Sequence, residues 1–162
     1  MSAPALKQPR NPGSKARLRL WLRLLKLARH IESELRDNLR REFGSTLPRF
    51  DVMAALSRHP RGLKMSELSG VLKVSNGNVT GIIDWLVDNG LVVRVPVPGD
   101  RRASLVRLTE KGRAAFQTQA RAHEEWVNDL LGGFEPGDAE TLSALLDDAT
   151  QQTEGQDDEN PH

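Results

Sequence analysis

Cysteine is absent from this chain of 162 residues. Disulfides, thiolate metal sites and cysteine-based redox sensing are excluded with it. Tyrosine is absent too, and the aromatic side chains are limited to four Phe and three Trp. Long apolar runs are also missing. The stretch from Leu18 to Ala28 is apolar but broken by Arg19, Arg23 and Lys26. It reads neither as a secretory signal nor as a bilayer span, so no membrane association and a cytoplasmic location are expected. The histidines (His30, His59, His123, His162) are scattered, with no His-x-x-x-His pair, Walker loop or nucleophile elbow. An enzyme is therefore not expected, nor is a metal or cofactor.

A large charge of one sign is lacking overall, since the net value is +1. That value conceals an asymmetry: residues 1–49 carry +8, residues 50–113 carry +4 and residues 114–162 carry −11. Basic N-terminal and central parts suit a polyanion. The acidic C-terminal part would face away from it, or clamp the basic helix of a partner subunit.

What is present centres on Lys64 to Gly112. Ser66 is a candidate N-cap of a short helix in which Leu68, Val71 and Leu72 fall at helical spacing. After the connector Lys73-Val74, Ser75 offers a second cap. Val79, Ile82, Ile83 and Leu86 then form one buried stripe, and the helix stops at Asn89-Gly90. The outward face of this second helix carries Asn76, Gly77, Asn78, Thr80, Gly81 and Asp84. A merely solvated face would favour Lys, Glu and Gln, which are better helix formers. Short donors and acceptors near a helix N-terminus suit base edges and phosphates in a major groove.

A hairpin follows. Leu91 to Val95 reads as one strand and Ala103 to Leu108 as its partner. Pro96, Pro98 and Gly99 make a stiff tip bearing Asp100, Arg101 and Arg102. Arginine there suits a narrow minor groove or a phosphate, and Asp100 could aim one guanidinium by a bidentate pair. The fold class is thus mostly α with a small β-hairpin wing, a winged helix-turn-helix.

The run Asp100-Arg101-Arg102-x-x-x-Val106-x-Leu108-Thr109-x-x-Gly112 resembles the wing signature of the MarR family of transcriptional regulators. Ser75 through Leu91 is similar to that family's recognition helix, and the likeness extends from about Leu18 to Leu146. The resemblance implies that Arg102 is the minor-groove arginine, with Asp100 orienting it and Arg101 a nearby phosphate or groove contact. Trp85 departs from the pattern, standing where the family commonly has Arg, so packing is the alternative for this position.

Around the winged part the chain divides as follows. Residues 1–14 form a basic tail expected to be disordered. Residues 15–45 and 114–150 form a helical region. Residues 46–113 form the DNA-binding domain, and residues 151–162 an acidic flexible tail. The first helix carries two apolar stripes, Leu18, Trp21, Leu25, Ala28, Leu35, Leu39 and Leu20, Leu24, Leu27, Ile31. That is more than one small core needs, so oligomer contact is expected. The resemblance implies long N- and C-terminal dimerisation helices paired across a two-fold axis. Such a homodimer presents two recognition helices to double-stranded DNA roughly 34–36 Å apart.

The resemblance also implies a small-molecule effector bound near the junction of the first, second and fifth helices. Trp21, His30, Arg49, Phe50, His123 and Trp126 are the candidate effector residues. The runs His30 to Arg36 and Thr46 to Val52 look like a subgroup that controls aromatic-acid degradation. The implied effector is an aromatic acid or its aromatic acyl-CoA thioester. The expected function is a ligand-responsive repressor on a pseudo-palindromic operator, with Ser66 and Ser75 on phosphate and Asn76, Asn78 and Thr80 in the major groove. The alternative is a winged-helix protein-interaction or architectural module without effector control.

Overall fold

The computed structural model describes residues 11–72 and 76–157. In chain order the elements are α1 (Ser14–Phe43), α2 (Leu47–Ser57), β1 (Leu63–Lys64), α3 (Met65–Leu72), α4 (Asn76–Asp88), β2 (Val92–Val97), β3 (Asp100–Leu108), α5 (Glu110–Leu130) and α6 (Pro136–Asp157). Two compact units divide between His123 and Glu124, within α5.

In the first unit the core follows the spacing of the apolar residues. Val79, Ile83 and Leu86 of α4 are fully buried, with Leu68 of α3 and Val52, Met53 and Leu56 of α2. Val92, Val106 and Leu108 close this cluster from the sheet. The three strands are antiparallel in the order β1-β3-β2. Leu63 pairs with Val106, so a short strand before α3 joins the wing. Pro96 lies inside β2, opposite Ser104. β2 is an edge strand, where the missing N–H of proline costs no ladder bond. The hairpin turn is therefore tighter than the sequence suggests: Gly99 takes φ +82° and β3 begins at Asp100. Asp100, Arg101 and Arg102 open a strand and do not cap a loop.

Ser66 is not an N-cap. The pairing of Lys64 with Leu105 carries the chain directly into α3 at Met65, and Ser66 is already inside the helix. Thr46 caps α2: its hydroxyl accepts from the Arg49 N–H at 3.4 Å. Leu35 and Leu39 bury the C-terminal half of α1 against this unit. The first half of α1 leaves Leu18, Leu20, Trp21 and Leu22 exposed.

The second unit contains the end of α5 and α6. Leu142, Leu145 and Leu146 of α6 are exposed. The helix continues through Gln151 to Asp157, where a loose tail was expected. Gln and Glu are good helix formers, and the Thr150 and Thr153 hydroxyls bond back to the Leu146 and Ala149 carbonyls. Residues 1–10 and 158–162, which include most of the expected basic tail and the end of the acidic one, lie outside the described residues. Among the described residues no helix is long and apolar enough to cross a membrane.

Candidate nucleic-acid interface

The stripe that buries Val79, Ile83 and Leu86 turns the opposite face of α4 outward. Asn78, Thr80, Gly81 and Asp84 are exposed on it. Ser75 and the side chain of Asn76 lie outside the described residues. Ser66 is exposed in the first turn of α3. Arg101 and Arg102 are exposed at the start of β3.

Asp100 orients Arg102, but not in the expected way. Its Oδ1 accepts from the Arg102 backbone N–H at 3.0 Å. Among the described residues the ion pair that forms is Arg94 with Asp84, linking β2 to α4. A carboxylate two residues before an N–H reaches it easily in this turn, and the Arg102 guanidinium stays outward. Asp84, read from sequence as an outward polar residue, is outward and also ties the wing to the helix.

The C-terminus of α4 is fixed by the start of α5. The Thr109 N–H donates to the Leu91 carbonyl at 3.0 Å. The Thr109 hydroxyl donates to the Gly90 carbonyl at 2.7 Å and accepts from the Gly112 N–H at 3.0 Å, so it caps α5. Lys111 Nζ donates to the Asn89 carbonyl at 2.9 Å, placing a cation at the C-terminal end of α4. Thr109 and Gly112 belong to the wing signature, and with Lys111 they tie the start of α5 to the end of α4.

A cavity of about 630 Å³ lies beside α4 and shares Asn78 and Gly81 with its outward face. Arg36 and Arg40 of α1, the Ser45 to Arg49 segment, and Asn78, Gly81, Ile82 and Trp85 of α4 line it. Among the described residues no carboxylate lines it. Among the described residues no acid lies within ion-pair distance of Arg36, Arg40 or Arg49. The cavity thus combines three guanidiniums with apolar walls, a surrounding that favours an anion bearing an apolar body. It sits between α1, α2 and α4, whereas the sequence pointed to α1, α2 and α5.

Of the candidate effector residues, Arg49 lines this cavity and its guanidinium carbon stands 3.6 Å from the Trp85 ring centroid. Phe50 is buried and stacks on His123 at 4.6 Å, with Phe116 tilted beside it at 5.5 Å. Burial pushes the His123 imidazole below its ordinary pKa. Trp21 and His30 are exposed on α1, and Trp126 belongs to the second unit. Arg36 and Arg40 of α1 line the cavity as well. Their i, i+4 spacing, which stacks two cations on one helix face, was the available signal.

A three-stranded wing beside a helix-turn-helix, with short polar groups outward on the second helix and arginines at the wing, defines a winged-helix DNA-binding protein. The MarR family model matches residues 45–104. The chain is similar to the HTH-type transcriptional regulator PecS of Dickeya dadantii, 32% identical over 99 residues, 60% of this chain and 60% of the length of PecS. It is similar to the transcriptional activatory protein BadR of Rhodopseudomonas palustris, 33% identical over 132 residues, 79% of this chain and 75% of BadR. A MarR family transcriptional regulator from Silicibacter pomeroyi has a matching structure, with TM-score 0.74 and 34% identity over 89% of this chain and 99% of that one. The chain belongs to the MarR family of transcriptional regulators. It is a DNA-binding regulator and not an enzyme.

Proposed function

We propose that this protein is a cytoplasmic, ligand-responsive repressor that binds a pseudo-palindromic operator as a homodimer. Residues 46–113 act as the DNA-binding part, and residues 15–45 with 114–150 as the dimerising part. Asn76, Asn78 and Thr80 read the major groove, and Ser66 and Ser75 contact phosphate. Arg102 enters the minor groove with Arg101 beside it. The homodimer reading is supported by the exposed leucines of α1 and of α6, which a second copy would cover.

The observation that carries the ligand-responsive part is the arginine-lined cavity, because one of its walls is the recognition helix itself. A ligand there touches the element that reads DNA. Three arginines with no acid within ion-pair distance among the described residues favour an anionic compound, and the Trp85 and Ile82 walls favour an aromatic body. An aromatic acid or its acyl-CoA thioester has this chemistry. BadR is described as activatory, so activation of transcription is the second reading.

Titration of the purified protein on its own upstream promoter DNA and on random DNA, with and without a panel of aromatic acids and their coenzyme A thioesters, tests the proposal. Preference for the promoter, released by one compound, is expected. Reporter output with and without the protein separates repression from activation. Equal binding to both DNAs, insensitive to every compound, would leave an architectural module as the better account.

A further inference from the structure

Arg49 stands in the first turn of α2, and its guanidinium lies over the Trp85 ring of α4. A cation is attracted to the indole face by the ring quadrupole. Trp85 is half-buried and packs against the winged core. Among the described residues Arg49 has no carboxylate within ion-pair distance, so the ring is the group that holds its charge. Asn78, Gly81 and Trp85 line the same wall of the cavity. Asn78 and Trp85 are two helical turns apart on one face of α4, about 10 Å. The helix is rigid over that distance, so a change in the seat of Trp85 is carried to Asn78.

Arg49 therefore has two possible partners. Without a ligand it rests on Trp85. An anion in the cavity offers a charge-assisted hydrogen bond, which is stronger than a part-exposed cation–π contact. Arg36 and Arg40 of α1 line the same cavity and gather the anion there.

We propose that Arg49 is a positioning residue for DNA binding. Through its stack on Trp85 it sets the seat of α4, and an anion in the cavity lowers operator affinity by drawing the guanidinium off that ring. The second half rests on the effector reading above, and the first half does not.

A double-mutant cycle on an operator selected in vitro tests this. The proteins are wild type, Arg49→Met, Trp85→Leu and the double variant, each titrated at two salt concentrations without ligand. Both single variants are expected to weaken operator binding about three- to tenfold, and the double variant no more than the worse single, because the two changes break one contact. The salt dependence should match wild type. Additive losses, or a slope for Arg49→Met shallower by about one, would make Arg49 a direct phosphate contact and overturn the proposal. Trp85→Phe keeps a ring and should fall between wild type and Trp85→Leu, which covers the case that the leucine variant folds poorly. Benzoate is the ligand probe, read by Trp85 emission in a Trp21→Phe/Trp126→Phe background. The response should vanish with Arg49→Met. A coupled cycle without any benzoate response upholds the positioning role and speaks against an aromatic-acid effector. An additive cycle with benzoate release removes the positioning role and leaves the effector reading standing.

Discussion

A side-chain carbon on Gly112 would stand 1.9 Å from the Leu91 carbonyl oxygen. Only glycine lets the first turn of α5 close onto the end of α4, where Leu91 also accepts the Thr109 N–H. Gly112→Ala must push the two backbones apart, and overpacking of this kind costs about 1–3 kcal/mol. A lowered melting temperature, together with faster amide exchange at Thr109 and Leu91, is expected. A melting temperature equal to wild type would show that the close approach does not constrain the fold.

The Arg94–Asp84 pair should matter more for DNA than for stability. Both side chains are well exposed, 39% and 56%, so the pair contributes about 0.5 kcal/mol or less. Asp84→Asn removes a negative charge beside the DNA face and frees Arg94. Affinity for random DNA should rise at low salt while the melting temperature stays nearly unchanged. A large loss of stability would contradict this.

Asparagine and alanine at position 100 separate two accounts of the wing. Asp100 accepts from the Arg102 backbone N–H, and an amide oxygen can do the same. Asp100→Asn should therefore keep operator affinity within about threefold, whereas Asp100→Ala loosens the turn and loses more, as expected when an acceptor of a local bond is deleted. Equal losses for both would mean that the carboxylate charge, acting on a guanidinium, is what counts.

His123 gives the first unit a pH dependence. Burial lowers its pKa below the ordinary 6.5, so the folded state holds the ring neutral against Phe50. As pH falls through 6.5 the unfolded chain takes up a proton that the folded chain does not. Stability present above that pH is then lost progressively toward the lower folded value. Melting temperatures from pH 8 to pH 5 should fall more steeply for wild type than for His123→Phe, which retains the ring stack. Parallel curves would rule out His123 as the cause.

The parts of the fold that were legible in the sequence are those set by local spacing. Val79, Ile83 and Leu86 fall one helical turn apart, and all three are buried. Thr46 and Thr109 cap helices because each hydroxyl sits three residues before the N–H it accepts. What was misread depends on distant partners. Ser66 looks like a cap until β1 pairs with β3 and delivers the chain into α3 one residue earlier. Asp84 is exposed as its place on the helix suggests, but its pairing with Arg94 of the next strand is not visible in the spacing. The cavity joins Arg36, Arg49 and Trp85 from three helices, so the i, i+4 spacing of Arg36 and Arg40 points to one wall only, and the Arg49–Trp85 stack is invisible in the sequence.

The account stands on α4 and the wing doing different work on DNA. The most direct measurement compares Asn78→Ala and Arg102→Ala with wild type on a selected operator, on operators with single base changes and on random DNA. Asn78→Ala should relax the preference among operators, because a base-edge contact is worth about 1–3 kcal/mol of discrimination. Arg102→Ala should weaken binding to all of them together and flatten the salt dependence. Equal losses on every DNA for both variants would contradict this division of labour.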